Sequence, residues 1–143
     1  MKTVNEILEE KGRDVWTIGP DATVREALSR MAERDVGALV VIEGDRVVGV
    51  ISERDYARNV IDKQEGSLEV LVGVIMAPEP RCVASHQTVA DCLALMTDKR
   101  IRHLPVLDDG ALVGVLSIGD LVKSIIRAQE SKIDELEGLI YGA

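Results

Sequence analysis

Two short segments hold the residue types best able to do chemistry. Gly49-Val50-Ile51-Ser52-Glu53-Arg54-Asp55 and Gly114-Val115-Leu116-Ser117-Ile118-Gly119-Asp120 share a Gly-x-x-Ser-x-x-Asp spacing. Where such a segment leaves a strand and enters a helix, a hydroxyl and a carboxylate come to lie beside the unpaired N–H groups of the first helical turn. A phosphate can accept from those N–H groups and from Ser52 or Ser117. Asp55 or Asp120 can accept both hydroxyl protons of a ribose, as an acidic residue does in dinucleotide folds. The same residue types also make a plain N-cap with a favourable first-turn charge. Residue chemistry leaves both roles open.

Other chemistries find less support. Cys82 and Cys92 lie ten positions apart without a CxxC or Cys/His cluster, so inert thiols are expected and no metal site. His86 and His103 cannot be tied by spacing to a nucleophile, so no catalytic residue is assigned and the chain is not expected to be an enzyme. Neither GxxxxGK[ST] nor GxGxxG occurs. The lone Trp16 is expected in a core or interface rather than stacked on a base. With 17 basic against 25 acidic residues the net charge is -8, which repels a phosphate backbone, and only 2% of residues are aromatic. Nucleic acid is therefore not an expected partner. The charged N-terminus lacks the apolar stretch of a signal peptide, and the longest apolar run, Val70 to Ala77, is far short of a membrane span. A cytoplasmic chain without membrane association is expected.

The elements that must hold these segments come from a duplication. Residues 23–55 match residues 88–120 without a gap at an offset of 65, with identities such as Thr23/Thr88, Leu28/Leu93, Met31/Met96, Gly49/Gly114, Ser52/Ser117 and Asp55/Asp120. Further upstream, Val4, Ile7 and Leu8 resemble Val72, Ile75 and Met76 at an offset of 68, so three extra residues fall between Glu10 and Val15. Thr23-x-x-Glu26 and Thr88-x-x-Asp91 are helix-start signals, followed by apolar residues at helical spacing. Two β-branched runs around Glu43-Gly44-Asp45, and their counterparts around Asp108-Asp109-Gly110, signal hairpins. A second helix is expected from Ser52 or Ser117. Each unit reads strand, helix, strand, strand, helix, an α+β arrangement too small to seal its own core, so the two are expected to share one.

This doubled order, with Arg102-His103-Leu104-Pro105-Val106 ahead of the second hairpin, resembles a tandem pair of CBS domains over residues 4–126. The resemblance implies two pseudo-symmetric β-α-β-β-α repeats in one module: residues 1–65 as the first repeat with an N-terminal helix, 66–126 as the second, and 127–143 as a C-terminal helical extension. It also implies two clefts for adenosyl compounds such as AMP, ADP, ATP, S-adenosylmethionine or NAD(H), and a regulatory role rather than catalysis.

By the same resemblance, Arg102 and His103 face a ligand whose ribose Asp55 holds, with Ser52 and Arg54 beside it. Arg supplies a donor fork for phosphate, and His adds charge near neutral pH. In the other cleft, Gly37 and Ala38 stand where Arg102 and His103 do, and Ile118-Gly119 replaces Glu53-Arg54, next to Ser117 and Asp120. No cation comes to Asp120 from these segments. The Asp55 cleft is therefore expected to prefer phosphorylated adenosine, and the Asp120 cleft a less charged adenosyl group, the uncharged end of a larger ligand, or nothing. From Asp120 to Ile140 the chain reads as one helix with a heptad seam of Val122, Ile126, Gln129, Ile133, Leu136 and Ile140, fraying at Gly138 and Gly142. A homodimer, expected by resemblance, has a surface there. The regulated target is expected to be a separate protein, and the competing reading is a dimerisation or interaction module that ignores nucleotides.

Overall fold

The computed structural model describes residues 2–63 and 67–141, so Gly142 lies outside the described residues. The chain runs α1 (Val4–Lys11), β1 (Thr17–Ile18), α2 (Val24–Arg34), β2 (Ala38–Glu43), β3 (Arg46–Ser52), α3 (Glu53–Lys63), α4 (Val72–Ile75), β4 (Ala77–Pro78), α5 (Val89–Lys99), β5 (His103–Asp108), β6 (Ala111–Ser117) and α6 (Ile118–Tyr141). The duplication is visible in local detail. Thr23 and Thr88 each accept from the N–H three residues on, and Asp35 and Arg100 close α2 and α5 in the same left-handed conformation, φ 54 in both. Each hairpin has a bulge at the same place, where Val41 faces Gly49 but Ile42 faces Val47, and where Val106 faces Gly114 but Leu107 faces Leu112. In the second turn Asp109 and Gly110 both have positive φ, as a tight type I′ connection requires.

The sheets are less symmetric than the sequence. β1 pairs with β2 in parallel, β2 with β3 antiparallel, and β4 adds antiparallel to β3, giving the order β1-β2-β3-β4. The second sheet contains β5 and β6 alone, and the opening strand expected for the second repeat shrinks to a bridge between Val83 and Val106. Pro78 and Pro80 precede that bridge and lack the N–H groups a longer ladder needs.

Packing corrects the expectation of one shared core. Ile18, Val24, Ala27, Met31, Leu39, Val41 and Ile51 form one buried cluster, and it is completed by Val72 of α4. Val83, Val89, Cys92, Met96, Leu104, Val106, Leu116 and Leu121 form another, completed by Val4, Ile7 and Leu8 of α1. Each half thus borrows a short helix that lies next to the other half in the chain. Backbone bonds pin the exchange: Val4 N–H donates to Gln87 and Val89 N–H to Lys2, while Val72 N–H donates to Ala22 and Val24 N–H to Val70. Each fully buried side chain of α1 contributes roughly 1.5–3 kcal/mol, so detaching this helix would open the second core. Inside that core, burial pushes the Cys92 thiol up to about 11, which keeps it protonated and unreactive at neutral pH.

α6 is one continuous helix of 24 residues. Leu121 and Ser124 are buried, with Ile118 and Ile125 packed against the second core. Val122, Ile126, Ile133, Leu136 and Ile140 of the seam are exposed.

Candidate functional site

Each Ser/Asp pair sits where a hairpin strand ends and a helix begins. Asp55 Oδ2 accepts from the Ser52 N–H at 2.8 Å and from the Ser52 hydroxyl at 3.0 Å, while the Asp55 N–H donates to Ser52 Oγ at 3.2 Å. Asp120 Oδ2 accepts from the Ser117 N–H at 2.8 Å, and the Asp120 N–H donates to Ser117 Oγ at 3.2 Å. Both pairs are therefore capping boxes, the plain role that residue chemistry left open. A ligand at either Asp must use the remaining lone pairs of its carboxylate or replace the serine donor.

Two clefts open beside these caps, and they differ. The first, about 790 Å³, is lined by Ser52, Arg54 and Asp55 of the first half and by Arg102 and His103 of the second, so these five expected residues do converge. Its wall also contains Arg58, Arg81, Lys99 and Arg100, giving six cationic side chains against the carboxylates of Asp55 and Glu79. Among the described residues only Lys99 of these six is in an ion pair, at 3.5 Å from Asp98. Lys99 and Arg100 close α5, where cations also suit the helix dipole. The sequence reading missed these additional cations. Lys99-Arg100 lies just ahead of the chosen Arg102-His103, but Arg58 and Arg81 lie on α3 and on the irregular stretch after β4, outside the paired motifs.

The second cleft, about 440 Å³, is lined by Gly37, Ala38, Ser117 and Asp120, as expected, with Trp16, Asp14 and Asp35. Ile118, grouped by sequence with Asp120, lines the first cleft instead and packs against the second core. Trp16 is half-buried against the first core with the Arg34 guanidinium 4.2 Å from its ring centre, which bears on the expected core or interface position.

The expectation that no cation comes to Asp120 holds for the segments considered but fails for the cleft. Lys11 Nζ, at the end of α1, donates to Asp120 Oδ2 at 2.8 Å and to the Val115 carbonyl at 2.7 Å. Burial acts to raise the Asp120 carboxyl, but the bonds from Lys11 and Ser117 outweigh it and hold the group below the usual carboxylate range. The signal was the three-residue excess after Glu10, whose register the sequence left undetermined.

His103 lines both clefts. Burial pushes it down, Asp55 and Asp120 pull it up, and Lys11 and Arg102 push it down again, with a net lowering. Burial therefore works against the expected charge near neutral pH. The positive field of the first cleft comes from arginine and lysine.

Among the described residues no helix is long and apolar enough to cross a membrane. The CBS domain family profile matches residues 4–62 and again 72–127. The mitochondrial CBS domain-containing protein CBSX3 of Arabidopsis thaliana is 35% identical over 150 residues, spanning 98% of this chain and 72% of that protein. The structure of a protein with CBS domains from Burkholderia ambifaria superposes with a TM-score of 0.84 at 46% identity, covering 90% of this chain and 96% of the other. A CBS domain protein of Pyrobaculum aerophilum complexed with AMP gives a TM-score of 0.73 at 33% identity, covering 82% and 88%. Matched twice along its length, and with the same capping, hairpin and bulge geometry in both halves, the chain belongs to the CBS-domain family as a tandem pair of repeats.

Proposed function

We propose that this chain is a non-catalytic regulatory module that senses an adenosyl ligand in the Asp55 cleft and acts on a separate protein. One observation supports the reading most: six cationic side chains surround a single Ser/Asp pair on a chain of net charge -8. That local reversal of sign favours a small phosphorylated ligand over a polymer. The cleft volume falls within the range of small-molecule sites. In this reading Asp55 accepts from ribose hydroxyls, and Arg54 and Arg102 donate to phosphate, with His103 beside them. AMP, ATP and NAD(H) all present adenosine with phosphate, and the complex of the Pyrobaculum relative with AMP supports that class. S-adenosylmethionine, cationic at its sulfonium, fits this cleft least. The module works as a homodimer whose shape the ligand biases through unequal affinity for two arrangements.

A second reading is favoured by α6, whose exposed Ile126, Ile133, Leu136, Leu139 and Ile140 suit a nucleotide-independent interaction module. Thermal melting with AMP, ATP, NAD(H) and S-adenosylmethionine separates the two. Binding to the native state raises the midpoint with concentration, by about 2.7 kcal/mol of added stability at 100 times Kd. A midpoint unmoved by any of them would favour the interaction module.

A further inference from the structure

We propose that Lys11 decides how many adenosyl ligands the chain takes, because its ammonium occupies the Asp120 carboxylate and closes the second cleft to ribose. The proposal rests on the reading of the clefts as adenosyl sites.

Lys11 is held in place by the fold. It is the last residue of α1, a helix anchored by Val4, Ile7 and Leu8 in the second core. Gly12, at φ 102, ends that helix with its N–H bonded to the Leu8 carbonyl at 2.8 Å. From this fixed base the ammonium bridges Asp120 Oδ2 and the Val115 carbonyl, so two acceptors on separate residues hold it. Its side chain is 30% exposed and that of Asp120 17%, which screens the pair less than a surface ion pair.

The bridge removes what a ribose would use. A carboxylate grips a diol by accepting two hydroxyl protons with its full negative charge. Asp120 Oδ2, like Asp55 Oδ2, already accepts two bonds, and what sets Asp120 apart is that one of them comes from the Lys11 ammonium, which neutralises the charge. The other carboxylates of the lining, Asp14 and Asp35, add negative charge and repel phosphate.

The first cleft shows the alternative. After α4 it is an anion, Glu79, that lines the first cleft. Helix α4 has only four residues against the eight of α1, and the chain passes directly into β4. Among the described residues Asp55 forms no ion pair, so its carboxylate keeps the charge that Asp120 shares with Lys11.

Calorimetric titration with adenosine, which carries the ribose without a phosphate for Asp14 and Asp35 to repel, tests this on the full chain. The parent should bind one ligand per chain. Lys11→Met should bind two, with the second site at least about tenfold tighter than any second-site binding in the parent. Adding Asp120→Asn to Lys11→Met should return the count to one, which locates the new site in the second cleft. If Lys11→Met fails to fold by melting, Lys11→Gln keeps the side-chain length without the charge and carries the same expectation. Two sites in the parent would overturn the proposal while leaving the adenosyl reading intact, as would a count of one in folded Lys11→Met or Lys11→Gln. Absence of adenosine binding in every variant would overturn the adenosyl reading itself, and the proposal with it.

Discussion

The two clefts start from the same local structure and end with opposite character. Ser52 and Asp55 cap α3 as Ser117 and Asp120 cap α6, with the shared backbone and N–H bonds matching to within 0.1 Å. What differs comes from elsewhere in the chain. The first cleft gathers cations from α3, from the stretch after β4 and from the end of α5, whereas the second receives one lysine, which its own aspartate holds. Duplication therefore copied the cap, and the chain outside the copied segments set the electrostatics. A site in a repeat protein is best read from what faces the motif, since the motif itself is nearly constant.

Four measurements bear on this contrast. The largest expected effect is on ligand binding by Asp55→Ala, which should weaken phosphorylated adenosine about 100-fold if two charge-assisted hydroxyl bonds are lost. Asp120→Ala should leave that affinity nearly unchanged. Equal losses in the two variants, read by calorimetry, would erase the distinction between clefts.

Next comes a difference in stability between equivalent glycines. A Cβ at Gly49 would lie 2.9 Å from the Ala77 carbonyl oxygen, which is backbone of a paired strand, as well as against Met76. A Cβ at Gly114 would lie 2.7 Å from Leu8 Cδ2, with only side-chain atoms among its nearest neighbours. Gly49→Ala should therefore cost about 2 kcal/mol and Gly114→Ala clearly less, as denaturant midpoints would record. The reverse order would mean that β4 yields more easily than α1.

A smaller effect is expected from Arg102→Ala, which should weaken ATP about tenfold while leaving adenosine within about twofold. The preference should fade as salt screens the cleft. Equal weakening of ATP and adenosine would assign Arg102 to packing instead of phosphate recognition.

The smallest concerns pH and the residue common to both clefts. His103 titrates lower in the folded chain than in the unfolded one, mainly because it is buried. The unfolded chain then takes up the proton first, so this contribution to stability is complete above the unfolded value near 6.5 and is lost as pH falls below it. The melting midpoint should drop between pH 7.5 and 5.5, and the drop should be shallower in His103→Gln. An equally steep drop in that variant would assign the effect to other groups.

Much of this was legible from the residues. Thr23 and Thr88, the β-branched runs, and the Gly and Asp turns act over a few positions, so the caps and hairpins follow from local bonding. The Ser/Asp pairs were legible for the same reason, and so was the continuous α6. Less legible was the partition of the cores. The periodicity of Val4, Ile7 and Leu8 marks an apolar helix face without saying which sheet receives it. The burial of His103 was not legible because it depends on walls supplied by both halves.

By itself, then, the sequence determined a duplicated α+β chain, its capped helix starts and hairpins, and the pairing of Ser52 with Asp55 and of Ser117 with Asp120. Tertiary structure alone decided which side chains face those pairs. Hydrogen bonds within a turn reach three or four residues, but Lys11 and Asp120 are 109 positions apart and meet only because α1 is buried in the core of the other half. The same packing brings Arg58, Arg81 and Arg102 to one cleft from separate elements. Charge at a distance in sequence becomes charge at a distance in space only after the cores have closed.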